Sequence, residues 1–238
     1  MTTANFNFTG KTALVTATSG IGLGIAMALR DAGARVIAAG LAPADMGSLQ
    51  GLDYRALDVT DPASIASLFN SLDKLDILVN AAGIIRRATE HEPDVFEQVI
   101  AVNLNGTMRC CQAAKPLLLQ SRGSVVNIAS MLSFFGGAHA PGYSASKGGV
   151  AQLTKSLANA WAPQAVRVNA VAPGYIATAL TLPLQDDPTK SGPIVSRTPM
   201  GRWGTPADVA GPVLFLCSDA AAFVTGVILP VDGGYLVY

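Results

Sequence analysis

Short apolar runs, each bounded by Gly, Asp or Asn, recur along the chain at 12–16, 35–39, 54–58, 76–80, 124–129, 166–172 and 227–231, and they predict β-strands. Between most of them the apolar positions fall at helical spacing, over 21–32, 94–120, 144–160 and 206–218. The strands are apolar on both faces, as strands are when helices cover a parallel sheet above and below. The expected fold is therefore α/β, one doubly wound parallel sheet of the Rossmann type with helices on both faces, and residues 1–238 are expected to form a single domain. Right-handed crossovers put every strand C-terminus on one edge, where such sheets bind ligands. The segment 174–203 breaks the pattern, with Pro183, Pro188, Pro193 and Pro199 and the adjacent acids Asp186 and Asp187. It reads as a long mobile stretch, and its place after a strand C-terminus predicts a lid over a substrate.

Half of the residues are apolar and only 13% are charged, which suggests a large core together with buried subunit contacts. The formal net charge is zero and the Lys and Arg residues are scattered, so nucleic acid is not an expected partner. No apolar stretch reaches about 18 residues and the opening MTTANFNFTGKTALVT lacks an export signal, so neither membrane insertion nor secretion is expected. Three cysteines cannot all pair, and Cys110 and Cys111 are neighbours on a predicted helix. They fit a reducing cytoplasm as small buried apolar residues. No His or third Cys stands at ligand spacing beside them, and no metal is expected.

Two stretches carry chemistry. The first strand runs into Thr16-Ala17-Thr18-Ser19-Gly20-Ile21-Gly22-Leu23-Gly24 and then a helix. Glycines there let the backbone approach a pyrophosphate, and a helix N-terminus offers free N–H donors. The second is Asn103, then Ser130, then Tyr143-Ser144-Ala145-Ser146-Lys147. Four-residue spacing puts phenol and ammonium on one helix face. A nearby cation stabilises phenolate, so Lys147 is expected to pull the Tyr143 pKa down toward neutrality. Ser130, at a strand end, could hold a substrate oxygen, and Asn103 could hold a water linking Lys147 to solvent.

These motifs, with Asp58-Val59, Asn80-Ala81-Ala82-Gly83 and Pro173-Gly174, stand in the order found in the short-chain dehydrogenase/reductase family, which the chain resembles over nearly its whole length. The resemblance implies a catalytic tetrad of Asn103, Ser130, Tyr143 and Lys147, with Tyr143 as general acid/base. It also implies a dinucleotide along Thr18, Ser19, Gly20, Ile21 and Gly22, with Leu41, Asp58, Val59, Asn80, Ala81, Ala82 and Gly83 on the adenosine side. Pro173, Gly174, Ile176 and Thr178, with Tyr143 and Lys147, are then expected near the nicotinamide. The chain departs from the family in its Gly-rich turn, which is one residue shorter and lacks the first Gly. The intervals 40–54 and 61–75 are also short, so two outer helices are expected to shrink to a turn or two.

Within the family, Ala82-Gly83-Ile84-Ile85-Arg86-Arg87, Met131-Leu132-Ser133-Phe134 and Gly201-Arg202-Trp203-Gly204 are similar to sugar-acid dehydrogenases of the deoxygluconate kind. A hydride exchange with the CH–OH carbon of a small sugar acid is the expected reaction. A 3-oxoacyl thioester or a neutral polyol or ketose is the alternative substrate, and a dinucleotide-binding regulator or a methyl-donor binder the alternative class. Arg86 or Arg87 is expected to grip a carboxylate, with Met131, His139 and Tyr175 also near the substrate. His91 and Trp203 are expected at the surface and in packing. No Lys or Arg occurs between Leu41 and Tyr54 to hold a 2′-phosphate, which favours NAD over NADP. The family commonly pairs its long helices, here around 104–120 and 144–160, so a homotetramer is expected.

Overall fold

The protein is described here from a computed structural model covering residues 6–43 and 46–237. In chain order the elements are β1 (Thr12–Val15), α1 (Gly20–Asp31), β2 (Arg35–Gly40), β3 (Asp53–Ala56), α2 (Pro62–Asn70), β4 (Ile77–Asn80), α3 (Pro93–Ile100), α4 (Gly106–Ser121) and β5 (Ser124–Ile128). They continue with α5 (Pro141–Trp161), β6 (Arg167–Pro173), α6 (Leu182–Gln185), α7 (Pro188–Arg197), α8 (Pro206–Cys217) and β7 (Ile228–Val231). The strands form one seven-stranded sheet in the order β3-β2-β1-β4-β5-β6-β7, and each neighbouring pair is parallel. The strand order reverses between β1 and β4, and the helices that leave these two strands lie on opposite faces, so a crevice opens at their C-terminal ends.

Successive residues of a strand point to opposite faces, and both faces here are apolar. Ala13, Val15, Ile77 and Val79 meet α1 and α8 through Ile25, Leu29, Val209 and Val213. Leu14, Leu78, Val125 and Val168 meet the other layer through Cys110, Leu118, Leu157 and Trp161. Local chemistry sets the helix ends. Asp61 caps α2 by accepting the Ala63 amide at 2.9 Å with Pro62 in the first position. Thr205 and Asp208 form a capping box ahead of α8. The chain leaves α4 through Arg122 in the left-handed region, at φ 51°.

Three expectations are corrected. The span 94–120 is not one regular helix: α3 and α4 are joined by a π-helical turn at Ala101–Asn105. One extra residue per turn there rotates the side chains that follow, a device common at functional sites. The segment 174–203 is not irregular throughout, because two of its prolines occupy helix starts: Pro183 and Pro188 sit in the first turns of α6 and α7, where a missing N–H costs nothing, while Pro193 lies inside α7 and Pro199 beyond it. The interval 61–75 holds the nine-residue α2, longer than a turn or two, whereas 40–54 holds one 3₁₀ turn at Met46–Leu49.

Candidate active site

The Gly-rich turn leaves the end of β1 and is fastened to β4 by a hydroxyl: Thr16 Oγ1 accepts the Ala81 and Ala82 amides at 3.0 and 3.1 Å. The shortened turn closes with the Ala17 methyl against Gly22, where an added Cβ would lie 2.2 Å from Ala17 Cβ and 3.0 Å from Ala81 Cβ. Only glycine fits. Ser19, at the N-cap of α1, makes no side-chain capping bond, so the first amides of a 12-residue helix face the cleft uncapped. Thr18, Ser19, Gly20, Ile21, Gly22, Leu41, Asp58, Val59, Ala81, Ala82, Gly83, Tyr143, Lys147 and Thr178 all line one cleft of about 410 Å³. Its uncapped helix end and glycine floor fit a dinucleotide pyrophosphate.

Four other residues named for the cofactor lie elsewhere. Asn80 is buried beneath the cleft, its Nδ2 donating to Asn127 Oδ1 at 2.8 Å and to Cys111 Sγ at 3.2 Å. Pro173 ends β6, and Gly174 packs where an added Cβ would lie 2.8 Å from the Asp232 backbone. Ile176 lines a separate cavity of about 380 Å³ with Tyr175, Met200 and Arg202. A larger cavity of about 570 Å³, at the N-terminal edge of the sheet, is bordered by Lys11, Arg122 and Arg167 and by none of the motif residues.

Asn103, Ser130, Tyr143 and Lys147 converge at the C-terminal ends of β4 and β5. The π turn carries Asn103, fully buried, with Nδ2 donating to Ile84 O at 2.9 Å and to Ser146 Oγ at 3.0 Å, while Oδ1 accepts the Ile84 amide at 2.8 Å. Asn103 therefore clamps the loop after β4 rather than bonding Lys147. Gly83 keeps this corner open: an added Cβ would lie 3.3 Å from Asn103 Oδ1 and 3.7 Å from Lys147 Nζ. Ser130 follows β5, its Oγ accepting the Leu132 amide at 3.1 Å, and its hydroxyl acts to lower the pKa of the Tyr143 phenol. Lys147 Nζ lies 5.6 Å from the Tyr143 ring centroid and donates to Ile128 O at 2.6 Å.

The electrostatics differ from the expectation that Lys147 lowers the phenol. Burial dominates and holds the Tyr143 pKa above its ordinary value, with the Ser130 hydrogen bond and the Arg87 charge pulling down and Glu90 pushing up. Burial also brings Lys147 down to about 8. A desolvated ammonium that already donates to a carbonyl is a weak partner for the phenolate. Cys110, Cys111 and Cys217 are free and buried, each thiol pushed up to about 12 by desolvation, and so are inert packing groups as expected. Among the described residues no cluster of His, Cys, Asp and Glu could hold a metal ion, and no helix is long and apolar enough to cross a membrane.

The residues expected near the substrate divide. Arg87 is exposed, and its charge reaches both the Tyr143 and the Tyr175 phenols. The Arg86 guanidinium turns back to Ile85 O at 3.5 Å. Neither arginine forms an ion pair with Glu90, Glu92 or Asp94, and the Glu90 carboxylate accepts the Arg86 backbone amide. Met131 is buried, and His139 is exposed. Exposed His91 reaches Ala138 O with Nε2 at 3.1 Å. Tyr175 packs edge-on against Trp203 and Tyr235, at centroid distances of 5.5 and 5.4 Å, and Trp203 Nε1 donates to Ser191 on α7. Sequence reasoning missed Glu90, Phe135, Arg197 and Tyr235. Arg197 stacks 4.3 Å from the Tyr235 ring centroid and donates to its hydroxyl at 3.1 Å. Spacing gives no signal for them, since they come from loops and termini distant in sequence.

A family model described as enoyl-(acyl carrier protein) reductase matches residues 15–236. The chain is 44% identical to a 2-dehydro-3-deoxy-D-gluconate 5-dehydrogenase of Bacillus subtilis, over 97% of this chain and 96% of the relative. It is 42% identical to the enzyme of that name from Pseudoalteromonas atlantica, over 97% and 98%. A crystal structure of a candidate 2-deoxy-D-gluconate 3-dehydrogenase from Agrobacterium tumefaciens with bound NADP is 44% identical and superposes with a TM-score of 0.91, covering 99% of this chain and all of the other. On the fold, the clustered tetrad and these likenesses together, the chain belongs to the short-chain dehydrogenase/reductase family.

Proposed function

We propose that the protein is a nicotinamide-dependent dehydrogenase of a sugar acid, with Tyr143 as general acid/base and Arg87 as the carboxylate grip. The observation that carries this reading is the Arg87 guanidinium, free of acidic partners and near enough to Tyr143 to bias its phenol. Guanidinium matches carboxylate in a bidentate fork. The likeness to two 2-dehydro-3-deoxy-D-gluconate 5-dehydrogenases adds support.

In the oxidative direction Ser130 Oγ and the Tyr143 oxygen hold the substrate hydroxyl, Tyr143 takes its proton, and the hydride leaves the same carbon; reduction runs the steps backward. When bound, the dinucleotide supplies the nicotinamide ring that accepts or donates this hydride. Thr18 to Gly22 position its phosphates and Lys147 its nicotinamide ribose. The segment 174–203 acts as the lid, braced internally by Trp203 on Ser191 and tied to the C-terminal turn by Arg197, which donates to the Tyr235 hydroxyl. NAD is the preferred cofactor, because Gly40 and Leu41 end β2 with neither an acid nor a cation and the nearby Arg55 is paired with Asp53. The buried free thiols suit the cytoplasm. The protein assembles as a homotetramer through the faces of α4 and α5, in keeping with its apolar composition.

A screen of sugar acids, neutral polyols and 3-oxoacyl thioesters with NAD(H) and NADP(H) is expected to find the highest kcat/KM for a sugar acid with NAD. A thioester or polyol at the top would replace the substrate, and a roughly tenfold preference for NADP would reverse the cofactor. Tyr143→Phe is expected to lower kcat by about 10²–10⁴-fold while dinucleotide affinity, followed by tryptophan quenching, is retained. Substantial turnover would refute the assigned chemistry. Arg87→Met should raise KM for the acid by roughly tenfold to 150-fold, corresponding to about 1.5–3 kcal/mol, and leave the neutral polyol counterpart little changed. Arg86→Met should do less, and equal losses on both substrates would end the carboxylate assignment. Light scattering at micromolar concentration should return the mass of four chains; a monomer would contradict the assembly.

A further inference from the structure

We infer that Glu90 is a positioning residue: its buried carboxylate joins the first turn of the catalytic helix α5 to the loop that carries Arg87, and so sets where the acid/base and the substrate grip stand relative to each other. Glu90 is 1% exposed. Its Oε1 accepts the Arg86 amide and its Oε2 accepts the Tyr143 amide, both at 2.7 Å. One carboxylate thus bonds the backbone of the acid/base itself and the backbone next to Arg87.

The demand for such a group comes from how α5 begins. Ala140 at the N-cap has no side-chain acceptor, and Pro141 has no N–H. Ser144 bonds back to Ala140 O at 2.9 Å, which leaves the Tyr143 amide to be met from outside the helix. Glu90 meets it from 53 residues earlier in the chain. A buried carboxylate is costly unless it is bonded on both oxygens, and the positive end of a 21-residue helix is a favourable place for it. Gly142 makes the room: an added Cβ would lie 3.4 Å from Glu90 Oε2 and 3.3 Å from Phe96.

The same two loops are fastened twice more. The Ala88 amide donates to His139 O at 2.9 Å, and His91 Nε2 lies 3.1 Å from Ala138 O. Ala88 is held at φ 68°, a strained value for a residue with a Cβ, and this left-handed turn presents Arg87. An N-cap serine or aspartate at position 140 would cap α5 without spanning to another loop. Glu90 links two functional parts, which a local cap cannot do. The groups facing the Tyr143 phenol are Ser130 from the end of β5, Lys147 on its own helix, and Arg87 and Glu90 from the loop after β4, with Tyr175, His91 and His139 on the surrounding loops.

This inference rests on Tyr143 being the acid/base and is independent of which alcohol is oxidised. The test is the pH dependence of kcat and kcat/KM for Glu90→Gln, on the best substrate of the unaltered protein, beside Tyr143→Phe. Gln keeps the shape but has one acceptor oxygen and no charge. We expect kcat to fall by roughly 10- to 100-fold with dinucleotide affinity within about threefold. The acidic limb of kcat/KM for oxidation should move to lower pH, because the negative charge that pushes the Tyr143 phenol up has been removed. Glu90→Asp keeps the charge but is a methylene too short for both amides. It should lower kcat with the limb unmoved, and it decides the matter if Glu90→Gln does not fold. Unaltered kcat and limb in the folded variant would overturn the assignment, as would a lower melting temperature accompanied by an unaltered profile. If Tyr143→Phe itself stays active, the proposed chemistry fails first and separately.

Discussion

Lys147 Nζ sits 2.6 Å from the Ile128 carbonyl, at 4% exposure, and this contact fixes α5 against the end of β5. A buried ammonium must be bonded, and a strand-end carbonyl with no further strand residue to pair with is the acceptor at hand. The rest of the helix is registered by the same demand one turn at a time: Asn127 Nδ2 donates to Thr154 Oγ1 at 2.9 Å, and Ser133 Oγ donates to Lys147 O at 2.7 Å. Once α5 is seated in this way, the Tyr143 ring has one place to be. The polar residues under the cleft are thus structural and chemical together, since each bond that keeps a buried group satisfied also fixes a catalytic atom.

Burial moves the two partners of the helix pair apart in pKa, Tyr143 upward and Lys147 down to about 8. The raised pKa keeps the phenol protonated at neutral pH, and taking a proton from an alcohol first requires the phenolate, so the charges at the rim carry weight. Arg87 pulls the phenol down and Glu90 pushes it up from the same short loop. The loop after β4 therefore tunes the Tyr143 phenol, the group proposed as acid/base. Its geometry depends on Asn103, which holds Ile84 from both sides through the π turn between α3 and α4.

The substrate side is assembled by aromatic packing. Tyr175, Trp203 and Tyr235 stack edge to edge, Arg197 lies over Tyr235, and Phe135 joins from the loop after β5. These residues come from the loops after β5 and β6, from the end of α7 and the stretch that follows it, and from the C-terminal turn. Such a cluster can be ordered without being rigid, because ring edges slide more easily than hydrogen bonds break, which suits the lid proposed for this segment.

Periodicity alone was enough for the parallel sheet, its seven strands and most of its helices, because a strand buried on both faces and an amphipathic helix leave local marks in the residue order. The pairing of Tyr143 with Lys147 was legible for the same reason, four residues being one helical turn. The placement of Asn80 and Ile176 away from the cleft was not, since a motif names residues without saying which way a strand end turns them. Tertiary packing alone decided that Pro183 and Pro188 start helices, that Asn103 clamps a loop and that burial raises the phenol. Glu90 shows the limit most plainly. In the sequence it is one acid among several in a polar stretch; only the fold brings the amides of Arg86 and Tyr143 to its two oxygens and buries the carboxylate. Local pattern records what each residue prefers, whereas solvation and long-range hydrogen bonding depend on which distant parts of the chain meet.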